Sequence, residues 1–286
     1  MNLHQYNMNK YLFTVCTVFC LLACNDHPGM EQTDETYISI NANVADRFSR
    51  SGENIAADRC IQEVYTTDGT QYGERQVSTL VGGNVEFNVR VIAGQSYTLV
   101  FWADKSSTGS NDDNHYDTST GLRHITVKAG YSGNNDEFDA YYASVPIVAD
   151  ASTLKAVQLS RPFCRVNVTA RDENLPTELG KIKIEFKDVY TEFDALTSEV
   201  SKPRTMEYTT AVLSDKNMSF DYLFAPGGKE DEVNFTMSFY RDDGTTTIGK
   251  PFDFTGIPLK RNYQVNVSAK LFAETGGTNI ALTGIE

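Results

Sequence analysis

The sequence has few of the residues that build metal centres and redox sites. Its 286 residues include five cysteines, four histidines and one tryptophan, and no cysteine–histidine grouping has the spacing of a zinc site. No serine lies in a Gly-x-Ser-x-Gly elbow, and no glycine-rich loop has the spacing that binds phosphates. We therefore expect a protein that is not an enzyme and that holds no metal or cofactor.

Positive charge is also in deficit. Lysine and arginine number 25 against 38 aspartate and glutamate residues, and the formal net charge is −13. Nucleic-acid binding depends on cationic contacts with phosphates, so we expect no nucleic-acid partner. An acidic balance of this size instead favours a soluble surface that faces the medium.

No apolar run reaches the length of a membrane span. The longest, YLFTVCTVFCLLA, covers residues 11–23, and as a helix it would be about 20 Å long, against the ~30 Å hydrocarbon core of a bilayer. It follows a weakly positive start and ends on a small residue, which is the pattern of a secretory signal. We predict that residues 1–23 are a signal peptide.

The end of this run, Leu21-Leu22-Ala23-Cys24, resembles the lipobox of bacterial lipoproteins. The resemblance implies cleavage before Cys24 and acylation of its thiol, for example with palmitate. Two or three acyl chains would anchor the protein stably, since each buried CH₂ contributes about 0.8 kcal/mol. Asn25 stands where an aspartate commonly retains lipoproteins in the inner membrane, so we expect attachment to outer-membrane lipid, on the cell surface. The alternative is an ordinary secretory signal or an anchor helix in which Cys24 is incidental.

Residues 24–35 are polar and acidic and contain Pro28 and Gly29, which predicts a flexible tether. After the tether, apolar and polar residues alternate in many short segments, as they do in strands with one buried and one wet face. The clearest segments are TYISINANV (36–44), NVEFNVRVI (84–92), KIKIEFKDV (181–189) and NYQVNVSAKL (262–271).

Glycine-containing turn signals separate these segments and indicate an all-β protein built from β-sandwiches. The length fits two sandwich domains, which we place at residues 36–159 and 160–286. Cys60 and Cys164 fall in different domains. They would be able to pair in an oxidising compartment, but their strand-like surroundings favour two unpaired core residues.

Several ordered stretches resemble the fimbrillin-type lipoproteins of Bacteroidales, which include the subunits and anchors of type V pili. The resemblance implies two tandem transthyretin-like, Greek-key β-sandwich domains. In the polymerising members an arginine-specific protease removes the first strand, and a strand from another subunit fills the groove. The stretches that carry the resemblance are SYTLVFWAD (96–104), HYDTSTGLRHITV, NDEFDAYYAS, LSRPFCRVNVTARD (159–172) and IPLKRNYQVNVSAKL (257–271).

Two arginines lie where such a cut would fall. The segment ADRFSRSGEN follows the candidate first strand and contains Arg47 and Arg50, although both also fit solvated loop charges. Anchor subunits of the family keep their first strand and their lipid. We therefore expect an accessory, anchor or adhesin-like component that contacts other fimbrial subunits by strand addition. The alternatives are a polymerising pilin matured near Arg50 and a monomeric glycan-binding lipoprotein.

Aromatic residues in the first half carry the glycan-binding alternative. Trp102, Tyr141 and Tyr142 are candidates for stacking on a sugar of the host or another source, and core packing is the competing interpretation. In a regular strand with one wet face, either Phe101 or Trp102 must face away from the core.

The loop STGSNDDNHYDTSTG (107–121) collects acidic residues at alternate positions, including Asp113. It lacks the glycine and the terminal glutamate of a calcium-binding loop. We therefore expect a solvated insertion between strands at this place.

Overall fold

The computed structural model describes residues 34–44, 55–107, 112–150, 155–213, 216–228, 231–272 and 280–285. Within them lie 17 strands and one 3-10 turn, Asp136–Phe138. The strands, in chain order, are β1 (Glu35–Val44), β2 (Arg59–Thr66), β3 (Gln71–Thr79), β4 (Asn84–Ile92), β5 (Ser96–Asp104), β6 (Tyr116–Asp117), β7 (Ile125–Val127), β8 (Tyr141–Val148), β9 (Lys155–Leu159), β10 (Phe163–Ala170), β11 (Lys181–Asp194), β12 (Glu199–Ala211), β13 (Asn217–Phe224), β14 (Asp231–Tyr240), β15 (Phe252–Leu259), β16 (Tyr263–Ala269) and β17 (Ala281–Ile285).

The alternating segments form strands as predicted, and the all-β fold class is confirmed. In β4, residues Val85, Phe87, Val89 and Val91 are buried, and the residues between them are exposed. The turns begin where the sequence indicates. In the β2–β3 hairpin, Gly69 has a φ of 81°, a conformation that side-chain-bearing residues seldom adopt.

The strands of the described residues form four sheets. The outer sheet has the strand order β4-β1-β9, and the middle sheet has the order β3-β2-β5-β8. The third sheet has the order β13-β10-β16-β17. The fourth has the order β15-β14-β11-β7-β6, with β12 paired to β11. β1 runs parallel to β9, whereas the hairpin neighbours β2 and β3 are antiparallel.

The middle sheet contributes to two hydrophobic cores. From β5, Leu99 and Phe101 belong to the core shared with the outer sheet. Val100 and Trp102, on the other face of the same strand, belong to the core shared with the third and fourth sheets. Both faces of this strand are therefore buried, unlike those of a strand with one wet face.

The two cores are also linked by the chain between β5 and β8. β6 and β7 precede residue 159, yet they hydrogen-bond into the fourth sheet, where Ile125 pairs with Phe193 of β11. The division of the chain at residue 160 stays a prediction.

Cys60 and Cys164 are both buried and unpaired, and they lie in different cores. The expectation of two core cysteines is confirmed. Burial raises the pKa of the Cys60 thiol well above its usual value, and burial likewise raises the pKa of Cys164 to about 11.

Candidate functional site

β1 is the middle strand of the outer sheet, between β4 and β9. Ile38, Ile40 and Ala42 of β1 are buried in the core that the outer sheet shares with the middle sheet. Each fully buried isoleucine stabilises the folded chain by about 2 kcal/mol. At the end of the strand, the backbone N–H of Val44 donates to the carbonyl oxygen of Gly83, with a distance of 2.9 Å.

The residues around β1 form an apolar groove that this strand fills. Phe87 of β4 and Leu159 of β9 are buried in the same core as Ile40. Phe87 also contacts Phe101 of the middle sheet, with the ring centroids 5.9 Å apart. Without β1, apolar side chains and two strand edges would face water. That is the arrangement from which strand addition draws its affinity.

Three of the predicted site residues lie outside the described residues. They are Cys24, the predicted site of lipidation, and Arg47 and Arg50, the predicted sites of proteolysis. Lipidation and cleavage therefore stay predictions. Within the described residues, no helix is long and apolar enough to cross a membrane.

The burial of Trp102 contradicts its predicted role in sugar stacking. Its indole has no exposed surface and contacts Tyr116 and Phe193, at centroid distances of 5.3 and 6.2 Å. Tyr141 is equally buried, and its hydroxyl donates to Asp139 at 2.8 Å. Neither ring presents a face to a ligand. Of the three predicted residues, only Tyr142 is half-exposed, since β8 places it on the face opposite Tyr141.

A buried ion pair fixes the loop before β6 against the middle sheet. Arg59 Nε donates to Asp104 at 2.6 Å, and Arg59 Nη2 donates to Asp113 at 2.7 Å. Burial alone would lower the pKa of Arg59, but the hydrogen bonds with the two carboxylates outweigh it and raise the pKa. Asp113 also accepts from the backbone N–H of Thr118 at 2.7 Å.

Among the described residues of this loop, Asp112, Ser119 and Thr120 are exposed, as expected for a solvated insertion. Asp113 differs, because it is held by Arg59 and Thr118. No group of three or more histidine, cysteine, aspartate or glutamate residues in the described part of the chain is arranged to hold a metal ion. The pattern of alternating acidic residues does not indicate that one of them binds a buried arginine of β2.

A second buried carboxylate belongs to β13. Asp221 of β13 is fully buried and accepts hydrogen bonds from the hydroxyls of Tyr208 and Tyr131, at 2.8 and 3.2 Å. Burial raises the pKa of Asp221 to about 7, although the tyrosine hydrogen bonds act in the opposite direction. Sequence reasoning missed this group, because an aspartate in an alternating strand usually faces water.

The sequence pattern of the Family of unknown function (DUF6562) matches residues 29–285. The chain belongs to this family. No curated protein matches the sequence. The match extends from the predicted tether to the last described strand, so it covers both cores.

Solved structures share the fold at low sequence identity. Candidate polysaccharide-binding proteins (DUF1812) from Bacteroides thetaiotaomicron have a TM-score of 0.53 and 12% identity, over 87% of this chain and 96% of that chain. A candidate cell adhesion protein from Bacteroides eggerthii has a TM-score of 0.51 and 11% identity, over 91% and 96% of the two chains. The tip fimbrial protein Mfa3 from Porphyromonas gingivalis, truncated at its C-terminus, has a TM-score of 0.50 and 13% identity, over 87% and 98%. None of the three is named as an enzyme. The resemblance to fimbrial proteins of Bacteroidales is confirmed at the level of the fold.

Proposed function

We propose that this protein is a lipid-anchored, surface-exposed protein of the outer membrane. In this proposal it serves as an accessory, anchor or adhesin-like component of a type V pilus-like fimbrial assembly. The position of β1 carries the proposal. This strand fills the middle of the outer sheet and lies, in sequence, between the predicted lipid on Cys24 and the predicted cleavage sites at Arg47 and Arg50.

The order of these features along the chain separates two roles. A cut after Arg47 or Arg50 would break the covalent link between the lipid and the body of the protein, and β1 would remain on the side of the lipid. An anchor subunit must keep that link. An uncut chain with β1 in its sheet meets this requirement, whereas a polymerising pilin would lose the strand.

The solved structures with this fold support the proposal through their names. They include a tip fimbrial protein and a candidate cell adhesion protein. Other fimbrial subunits would then be the partners, joined by addition of a strand to a sheet edge or groove. In this proposal the outer-membrane lipid is held through Cys24.

Mass spectrometry of the N-terminus of the protein purified from outer membranes tests the proposal. We expect an acylated N-terminus at Cys24 and incorporation of an alkyne-labelled palmitate. The Cys24→Ala variant should lose the label, and Cys60→Ala, which removes a buried cysteine instead, should keep it. A free N-terminus at Phe48 or Ser51 would show a pilin matured by cleavage. Membrane attachment of Cys24→Ala without label would show that the lipidation hypothesis is wrong.

A further inference from the structure

A cleft of about 680 Å³ lies where the start of β8 meets the turn between β15 and β16. Tyr142 of β8 lines one side, and Lys260, Arg261 and Tyr263 line the other. These four side chains are all half-exposed. The volume is within the range of small-ligand sites, which is about 300–1,000 Å³.

Arg261 holds this side of the cleft in place. Its Nε donates to the carbonyl oxygen of Ala225 at 2.8 Å, and its Nη2 donates to that of Ser198 at 2.7 Å. Its Nη1 donates to the hydroxyl of Tyr142 at 3.0 Å. The guanidinium therefore ties together three segments that are distant in sequence, and it fixes the position of the Tyr142 side chain. A site fixed before binding loses less entropy when a ligand is ordered.

Gly227 makes this arrangement possible. A Cβ atom at this position would lie 2.8 Å from Arg261 Nη1, closer than side chains tolerate. The glycine therefore lets the guanidinium lie directly against the backbone at the floor of the cleft.

The charged residues of the described lining have the sign opposite to the net charge of the chain. The protein has a formal net charge of −13, yet the described lining residues include Lys260 and Arg261 and no aspartate or glutamate. The ammonium of Lys260 lies 3.9 Å from the centre of the Tyr263 ring. A concave surface lined by one sign of charge concentrates ligands of the other sign.

The two tyrosines limit the chemistry of that ligand. An aromatic side chain offers an apolar face beside a polar tip. A pyranose ring has the complementary character, with an apolar face of C–H groups and hydroxyls around its edge. We propose that this cleft binds an acidic oligosaccharide, with a carboxylate at Lys260 and Arg261 and a sugar ring against Tyr142 and Tyr263.

Titration calorimetry of the purified full-length protein tests this site with trigalacturonate, 3′-sialyllactose and a heparin tetrasaccharide, and with neutral maltotriose as the reference. We expect at least one acidic probe to bind at least tenfold more tightly than maltotriose. Its affinity should fall with added NaCl, since an ion pair with Lys260 is screened by salt.

Variants then locate the binding. Lys260→Met keeps the length of the side chain and removes its charge, and Tyr142→Ala removes one aromatic face. Both should weaken binding of the acidic probe at least tenfold, while thermal unfolding shows that each variant still folds. Lys183→Met, which removes a lysine paired with Glu207 on the surface of β11, should leave affinity unchanged. Failure of all three acidic probes to bind at millimolar concentration, or full affinity in Lys260→Met, would overturn the proposal.

Discussion

Tyr208 and Asp221 form a buried hydrogen bond between β12 and β13, with 2.8 Å between the tyrosine hydroxyl and the nearer carboxylate oxygen. Tyr208 belongs to the core that the middle sheet shares with the third and fourth sheets. Asp221 has no exposed surface. The hydrogen bond joins β12, which pairs with β11, to β13, the edge strand of the third sheet.

Because of Asp221, the free energy of unfolding should decrease as the pH rises from about 4 to about 7. The folded chain keeps the proton up to a pKa of about 7, whereas the ordinary value for aspartate is 3.8. Between these values the unfolded chain ionises first, so each pH unit favours unfolding by about 1.4 kcal/mol. Urea unfolding at pH 5, 6, 7 and 8 measures this slope. The Asp221→Asn variant should reduce it, and an identical slope in that variant would contradict the assignment.

The buried face of β1 should contribute strongly to stability. Ile40→Ala removes a side chain with no exposed surface from the middle of the outer sheet, and we expect a loss of about 2–5 kcal/mol. Ser39→Ala changes the neighbouring exposed residue and should have an effect within about 0.5 kcal/mol. Chemical denaturation measures both values. Equal effects would mean that β1 does not fill the groove.

Replacing Arg59 alone should lower the free energy of unfolding more than replacing Arg59 and Asp104 together. Arg59→Met leaves Asp104 buried without its charged partner, and we expect a loss of about 3–5 kcal/mol. The double variant Arg59→Met/Asp104→Leu should recover part of that loss, because no unpaired charge then remains at position 104. Asp113 still loses Arg59 but keeps its hydrogen bond from Thr118. A double-mutant cycle on the free energy of unfolding tests this. Additive single effects would show that the pair is not coupled.

Neither core cysteine should react in the folded protein. Burial raises the pKa values of both thiols, so little thiolate is present and little surface is accessible. In a background in which Cys16, Cys20 and Cys24 are all replaced by serine, we expect no maleimide labelling of Cys60 and Cys164 at pH 7.5, and labelling of both in urea. Rapid labelling of the native chain would place at least one of them at the surface.

Strand positions were predictable from the sequence because alternation depends on local pattern. β1, β4, β11 and β16 all begin within a few residues of the segments in which apolar and polar residues alternate. The same reasoning failed for Trp102 because it assumed one wet face for each strand. β5 packs one face on each of two cores, and that arrangement depends on which sheets meet in space.

The cleft near β8 was only partly predictable. Tyr142 is a candidate because aromatic residues suit sugar binding, but nothing in the local sequence separates it from its neighbour Tyr141, which is buried. Lys260 and Arg261 lie in a turn more than a hundred residues later. Contacts across that separation arise from the packing of the sheets and leave no local pattern. The partners of Arg59 and Asp221 were missed for the same reason.

The central position of β1 also has a mechanical consequence. If a force acts on the protein through a lipid at Cys24, it enters the folded body at the start of β1. The backbone bonds of β1 to β4 and β9 then resist that force. In an uncut chain the covalent backbone also resists the force. After a cut at Arg50, only this ladder and the buried side chains of β1 would hold the protein to the cell.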